Sequence, residues 1–164
     1  ADLTAGRADT ELIIICGSNR QLYDELKALS LPKVTVIGFT TDMAGYMKAA
    51  DLFVSKPGGL SSTEAAVCGV PLVHVAEIPG CETFNAQYFS SRGMSRLCST
   101  SGSGLQTALE LLDDPLARDE MLKSQKALVP ENAAAQICAL AEYMAMLQED
   151  GNVSIPEIVR PATS

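Results

Sequence analysis

The sequence of residues 52–64 is LFVSKPGGLSSTE. An apolar run that ends at Ser55 predicts a strand, the paired glycines predict a tight turn, and a helix is predicted to begin near Ser61. Such a turn exposes backbone N–H groups at the positive end of the helix dipole, which favours an anion site. The segment contains neither a Walker loop nor a GxGxxG fingerprint. The nucleotide-binding classes that use those motifs, including NAD-linked dehydrogenases, are therefore disfavoured.

The same alternation of strand and helix extends in both directions from this segment. Five apolar runs rich in Val and Ile are predicted as buried strands, at residues 12–16, 34–37, 52–55, 72–75 and 95–98. Residues 21–29 and 42–50 carry apolar side chains at helical spacing. Repeated alternation predicts an α/β fold with a Rossmann-like, doubly wound parallel sheet.

The carboxy-terminal third of the chain is predicted to contain no strand. Three helices are expected, at residues 105–112, 116–129 and 133–147. Residues 149–164 have no periodicity and are predicted to form an extended or mobile tail. The chain therefore fits one domain over residues 1–148, followed by this tail.

Composition excludes several classes of function. A net charge of −8 over 164 residues argues against a nucleic-acid partner, because no basic surface could neutralise phosphates. The five cysteines are scattered and the chain has one histidine, so no zinc-type ligand set is predicted and reduced thiols in a cytoplasmic protein are expected. The histidine, His74, lies within a predicted strand and is interpreted as a core residue.

Ligands of open α/β sheets bind beyond the carboxyl ends of the strands. The segments at those ends, residues 17–19, 38–42, 56–64 and 76–85, are rich in Gly, Ser, Thr, Asn and acidic residues. Ser61 and Glu64 also have the spacing of a capping box, so Glu64 could cap the helix or bind a ligand. Lys56 could lean toward a phosphate or be solvated.

Five motifs occur in an order that resembles a known family. They are CGSN at residues 16–19 with Leu22, IGFTTDM at 37–43, ADLFVSKPGGLSSTEA at 50–65, GVP at 69–71 and PGCETFNA at 79–86. Over about residues 11–148 the chain resembles the nucleotide-binding half of family 28 glycosyltransferases. That family includes processive diacylglycerol glucosyltransferases, monogalactosyldiacylglycerol synthases and the peptidoglycan GlcNAc transferase. The resemblance implies the carboxy-terminal half of a two-domain (GT-B) fold.

The resemblance also implies roles for individual residues. Phe39 and Thr40 would flank the uracil, Glu64 would accept hydrogen bonds from the ribose, and residues 58–62 would cradle the diphosphate. Family members often carry glutamine where Cys81 stands, which leaves the identity of the sugar open. The implied UDP site consists of Gly17, Asn19, Phe39, Thr40, Lys56, Gly58, Gly59, Leu60, Ser61, Ser62 and Glu64, and the implied donor-sugar site of Cys81, Glu82 and Asn85.

The implied function is to bind the UDP-sugar donor of an inverting glycosyltransferase that acts on a lipid acceptor such as diacylglycerol. No metal or other cofactor is expected. The catalytic base and the acceptor site are expected on a separate domain, and the whole enzyme is expected to be cytoplasmic and peripherally membrane-associated. Two alternatives are a stand-alone nucleotide-binding subunit of a two-chain glycosyltransferase and a non-catalytic sugar-nucleotide-binding module.

Overall fold

The computed structural model describes Arg7 and residues 9–75, 80–98 and 104–150. Strands and helices alternate along the first two thirds of the chain, and helices follow. The elements are β1 (Leu12–Ile15), α1 (Arg20–Ala28), β2 (Val34–Ile37), α2 (Met43–Ala49), β3 (Phe53–Ser55), α3 (Gly59–Cys68), β4 (Leu72–His74), α4 (Cys81–Ser91), β5 (Arg96–Leu97), α5 (Gly104–Leu112), α6 (Pro115–Leu128) and α7 (Ala133–Asp150).

All strand pairs in the described residues are parallel, which confirms the predicted α/β class. The strands form two sheets rather than one. β1 pairs with β2, and β3, β4 and β5 are paired in that order. Because no described strand joins β1 to β3, each of these two strands has a single paired neighbour within the described residues.

The main core surrounds β4. Leu72 and Val73 are fully buried, and helices α3, α5 and α6 contribute Ala65, Leu111 and Met121 to the same apolar cluster. Complete burial of a leucine or methionine side chain stabilises a fold by about 1.5–3 kcal/mol. The central position of β4 explains why all three of its residues are buried without alternation, since both faces of the strand are covered.

The predicted elements differ from the observed ones mainly at their ends. α3 begins at Gly59, two residues before the predicted start, and α7 extends to Asp150, beyond the predicted end at residue 147. Residues 151–164 of the predicted tail, and residues 76–79 of one predicted ligand-binding segment, lie outside the described residues. None of the helices in the described ranges is long and apolar enough to cross a membrane.

Candidate functional site

The amino end of α3 lacks a side-chain cap. Gly58 occupies the N-cap position, and no side chain of the described residues accepts a capping hydrogen bond from the amides of this helix end. The first intrahelical bond is donated by the Ser62 amide to the Gly58 carbonyl oxygen, at 3.0 Å. The amides of residues 59–61 come before that bond, and none of the hydrogen bonds found among the described residues uses them. Three N–H groups are therefore directed out of the helix end, where the dipole favours a negative charge.

A side chain at position 58 would be crowded, whereas a Cβ atom at position 59 would make ordinary contact with its neighbour. Gly58 has a φ of −72°, which any residue can adopt. A Cβ atom added at Gly58 would lie 3.0 Å from the Ser61 hydroxyl, and one added at Gly59 would lie 3.6 Å from the amide nitrogen of Asn85. The absence of side chains at both positions leaves the free amides accessible.

The capping-box interpretation of Glu64 is wrong in this structure. Because α3 begins at Gly59, Ser61 lies inside the first turn rather than at the N-cap, and its hydroxyl donates to the Gly58 carbonyl at 3.4 Å. Glu64 then lies too far along the helix to bond back to the cap. Its side chain is exposed, so a capping role no longer competes with ligand binding at this position.

The loop before α3 is fixed to α4 by two contacts. Lys56 Nζ lies 2.5 Å from Glu82 Oε1, and Asn85 Nδ2 donates to the Pro57 carbonyl oxygen at 3.0 Å. Glu82 and Asn85 lie on the first two turns of α4, one helical turn apart, so both face the same loop. The structure thus brings three of the predicted site residues together at the entrance of α3.

The pair formed by Lys56 and Glu82 is asymmetric in its exposure. The side chain of Glu82 is 13% exposed and that of Lys56 is 59% exposed. Because the ammonium group remains largely in solvent, it can also attract an anion at the end of α3. The Glu82 carboxylate is mostly shielded from solvent, and its position is set by α4 and by the contact with Lys56.

Ser62 and His74 form a buried polar contact behind the open helix end. The Ser62 hydroxyl lies 2.9 Å from His74 Nε2, and the Ser95 hydroxyl lies 3.1 Å from His74 Nδ1. Ser62 and His74 are fully buried, which confirms the interpretation of His74 as a core residue. Because the hydroxyl and the amide of Ser62 both have partners inside the protein, a direct contact between Ser62 and a ligand would require one of those bonds to break.

Burial lowers the pKa of His74 from 6.5 to about 4. The charged imidazolium would lose its hydration in this environment, and no carboxylate lies within hydrogen-bonding distance among its described contacts. The ring is therefore neutral at pH 7, with one nitrogen donating and the other accepting. Neither serine could be assigned to this contact from the sequence, because Ser62 and Ser95 lie 12 and 21 residues from His74.

The two loops that follow β1 and β2 carry the other predicted nucleotide contacts. Gly17 has a φ of +58°, and Asn19 caps α1 by accepting a hydrogen bond from the Leu22 amide at 3.0 Å. Phe39 is 75% exposed, and the Thr40 hydroxyl accepts a hydrogen bond from the Asp42 amide at 3.0 Å. The hydrogen bonds of the described residues connect neither loop to the contact between Lys56 and Glu82.

The remaining predicted residues lie at helix starts. Leu60 is exposed in the first turn of α3, and Cys81 is the first residue of α4, although its side chain lies outside the described part of the structure. Gly80, the N-cap of α4, has a φ of +109°, a conformation that favours glycine. Among the described residues no group of three or more His, Cys, Asp or Glu side chains could hold a metal ion.

Comparison with known protein families identifies the chain. The glycosyltransferase family 28 C-terminal domain matches residues 1–137. The chain belongs to this family. The match includes every residue of the candidate site, from Gly17 to Asn85, and it confirms the resemblance found in the sequence motifs.

Curated relatives of this family member include two processive diacylglycerol beta-glucosyltransferases. The protein from Staphylococcus carnosus (strain TM300) is 29% identical over 140 residues, which are 84% of this chain and 36% of the relative. The protein from Bacillus licheniformis is 30% identical over 134 residues, which are 80% of this chain and 35% of the relative. The chain therefore spans about a third of the length of these relatives.

A solved structure supports the fold assignment. The chain is similar to MurG from Acinetobacter baumannii with a TM-score of 0.67 and 23% sequence identity, over 85% of this chain and 43% of that protein. At this identity the similarity establishes the fold, which is that of one half of a GT-B glycosyltransferase.

Proposed function

We propose that this chain binds the UDP-sugar donor of an inverting glycosyltransferase whose acceptor is a lipid such as diacylglycerol. The observation that carries the proposal is the amino end of α3, where no described group uses the amides of residues 59–61 and where Lys56, in the loop that precedes the helix, contacts Glu82. Membership of family 28 and similarity to diacylglycerol glucosyltransferases support the choice of donor and acceptor.

The diphosphate would bind at the amino end of α3. Backbone amides at a helix start provide fixed hydrogen-bond donors, and they require no rearrangement as negative charge grows on the leaving group. The largely exposed ammonium of Lys56 would add a charge-assisted contact. In this proposal no metal is needed to stabilise the departing UDP.

The nucleoside would lie across the loops that follow β1 and β2. Phe39 offers an exposed aromatic ring to the uracil, and the backbone at Thr40 would contact the edge of the base. Gly17 and Asn19 would line the same side of the site. Glu64, exposed on α3, would accept hydrogen bonds from both ribose hydroxyls, because a carboxylate offers two acceptor oxygens.

The donor sugar would lie at the amino end of α4. Glu82 and Asn85, which are already fixed to the loop before α3, would contact the sugar hydroxyls. Cys81 would lie beside them at the helix start. A thiol is a weak hydrogen-bond partner, so sugar selection would depend mainly on Glu82 and Asn85.

Catalysis would require a second domain that binds the acceptor and supplies a general base. The base would deprotonate the acceptor hydroxyl, the hydroxyl oxygen would attack the anomeric carbon from the face opposite UDP, and UDP would leave with the bonding electron pair. Closure of the two domains would align the reactants and exclude water. We expect the complete enzyme to act at the membrane surface on the cytoplasmic side and the isolated chain to bind UDP without turnover.

Isothermal titration calorimetry of the chain with UDP, UDP-glucose, UDP-galactose, UDP-N-acetylglucosamine and ADP tests the proposal. We expect weak but saturable binding of UDP and of at least one UDP-sugar, with weaker binding of ADP because the uracil contacts are lost. Absence of heat at millimolar UDP would contradict the proposal and favour a module that retains the fold without the ligand.

Two matched variants test the assignment of Glu64. Glu64→Gln keeps the size of the side chain but removes the charge that strengthens bonds from ribose hydroxyls. We expect a severalfold weaker affinity for UDP and an unchanged melting temperature. Glu120→Gln makes the same change at another exposed helical position and should alter neither quantity. If the two variants bind UDP with equal affinity, Glu64 does not contact the ribose.

A third variant tests the open helix end directly. Gly59→Ala adds a methyl group in ordinary contact with Asn85, and replacing glycine by alanine where the backbone conformation is compatible stabilises a protein by about 0.4–1 kcal/mol. We therefore expect unchanged or increased stability together with weaker UDP binding, because the methyl group lies beside the free amides. Unchanged affinity would show that a ligand does not approach the backbone at this point.

A further inference from the structure

His74 connects three elements of the core beside the candidate site. Its Nε2 contacts Ser62 in the first turns of α3, and its Nδ1 contacts Ser95 just before β5. The ring itself belongs to β4, the central strand of its sheet, and its plane packs edge-on against Phe89 of α4 with ring centroids 5.7 Å apart. A buried polar contact therefore joins helix α3 to the sheet.

The position of Ser62 gives this contact a consequence for ligand binding. The Ser62 amide donates the first intrahelical bond of α3, to the Gly58 carbonyl at 3.0 Å. The three free amides come immediately before Ser62. When Ser62 is held in place, the first turn of α3 can neither shift along the helix axis nor rotate about it. The directions of the three preceding N–H groups depend on the position of that turn.

We propose that His74 is a positioning residue for the donor site, which acts through Ser62 to orient the free amides at the start of α3. The expected effect of His74 on UDP affinity rests on the proposed function. The contact with Ser62 carries the positioning effect, and the contact with Ser95 fixes the ring.

The hydrogen-bonding groups of His74, Ser62 and Ser95 favour a single arrangement of the ring and the two hydroxyls. A neutral imidazole offers one donor and one acceptor, and a serine hydroxyl can complement either. Both hydroxyls and both ring nitrogens thus have partners in a site from which water is excluded. Loss of one partner leaves a buried polar group unsatisfied, which costs more than the bond itself contributes.

Two substitutions at His74 separate the contacts. The terminal amide of glutamine extends about as far from the backbone as Nε2, so His74→Gln can retain the bond to Ser62. The amide of asparagine lies near the position of Nδ1, so His74→Asn can retain only the bond to Ser95. Both variants lose one buried hydrogen bond, and we expect them to lose similar stability. Ser62→Ala removes the same contact from the helix side.

Hydrogen exchange of the Ser62 amide, measured by NMR without ligand, tests positioning independently of UDP. We expect exchange about tenfold faster in His74→Asn and Ser62→Ala, as the loss of one buried hydrogen bond implies, and close to the wild-type rate in His74→Gln. Calorimetry with UDP, at a temperature where all variants are folded, should show about threefold to tenfold weaker binding for the same two variants and near wild-type binding for His74→Gln.

The outcomes are distinguishable. Equal exchange rates and equal UDP affinities in His74→Gln and His74→Asn would overturn the inference and leave His74 as a packing residue. If the wild-type chain does not bind UDP, the proposed function fails, while the exchange rate of the Ser62 amide still decides whether His74 positions α3.

Discussion

The two sheets of this protein differ in how the helices after their strands begin. In the sheet of β1 and β2, each following helix has a side-chain cap. Asn19 accepts a hydrogen bond at the start of α1, and Asp42 accepts one from the Gly45 amide, at 3.1 Å, at the start of α2. In the sheet of β3, β4 and β5, the helices after β3 and β4 have Gly58 and Gly80 at their N-cap positions, and no described side chain caps them.

A capped helix start stabilises its own helix, whereas a helix start with glycine at the N-cap can bind a ligand. A parallel strand followed by a helix directs the first amides of the helix toward the same edge of the sheet in both regions. Where a side chain takes one of those amides, the helix end is satisfied by the protein itself. Where glycine stands at the N-cap, the amides remain for solvent or a ligand. The β3 and β4 region is therefore the better candidate for an anion.

The two regions also differ in burial. All three residues of β4 are fully buried, whereas no residue of β1 is buried and Ile13 is 49% exposed. The buried core thus lies in the sheet whose following helices have glycine at the N-cap, rather than in the sheet whose helices are capped by Asn19 and Asp42. A site whose donors must not move is best placed on the more stable part of a fold.

The largest effect is expected from a core substitution. Leu72→Ala in β4 should lower the free energy of unfolding by about 2–5 kcal/mol, because it leaves a cavity in the main cluster. Ile13→Ala in β1 should cost about 1 kcal/mol or less, because the side chain is already half in solvent. Urea denaturation measures both. Similar losses of unfolding free energy at the two positions would contradict the conclusion that β4 is more deeply buried than β1.

Acid should weaken the β4 region through His74. The pKa of His74 is lowered from 6.5 to about 4, so folding favours the neutral ring. The associated stability is complete above pH 6.5 and falls as the pH decreases toward 4, by at most about 3 kcal/mol. Urea denaturation from pH 7 to pH 4 measures this. His74→Gln should have a shallower dependence on pH, and equal slopes would show that other groups dominate.

A smaller effect is expected from the capped region. Asp42→Ala should lower the free energy of unfolding by about 1 kcal/mol, because the Gly45 amide loses its acceptor. Asp42→Asn keeps an oxygen in the same position and should restore most of the stability. If both variants are equally destabilised, the charge of Asp42 rather than its capping bond stabilises α2.

The smallest change in stability, with a large change in binding, is expected at Gly58. An aspartate cap stabilises a helix by only about a few tenths of a kcal/mol more than a glycine cap. The Ser61 hydroxyl lies 3.0 Å from the position of the new Cβ and must move aside, which offsets part of that gain, so Gly58→Asp should change the free energy of unfolding little. The new carboxylate would take one of the free amides and repel a diphosphate, so UDP binding should be lost. Gly58→Ala serves as the control without the charge. Unchanged UDP binding in Gly58→Asp, measured by calorimetry, would place the anion elsewhere.

The sequence predicted the positions of the elements well because local patterns determine them. Apolar runs and turn residues located all five strands, and the motifs led to the same family as the comparison over residues 1–137. The start of α3 was misplaced by two residues, because Ser61 and Glu64 have the spacing of a capping box. The backbone instead becomes helical at Gly59, directly after Gly58.

The sequence alone determined that this is a parallel α/β domain of family 28, since periodicity, turn chemistry and motif order are properties of neighbouring residues. Only the tertiary structure decided that Lys56 pairs with Glu82, that Ser62 bonds to His74, and that no described side chain caps the helix after β3. These contacts join residues 12 to 26 positions apart, and their geometry depends on how the strands and helices pack.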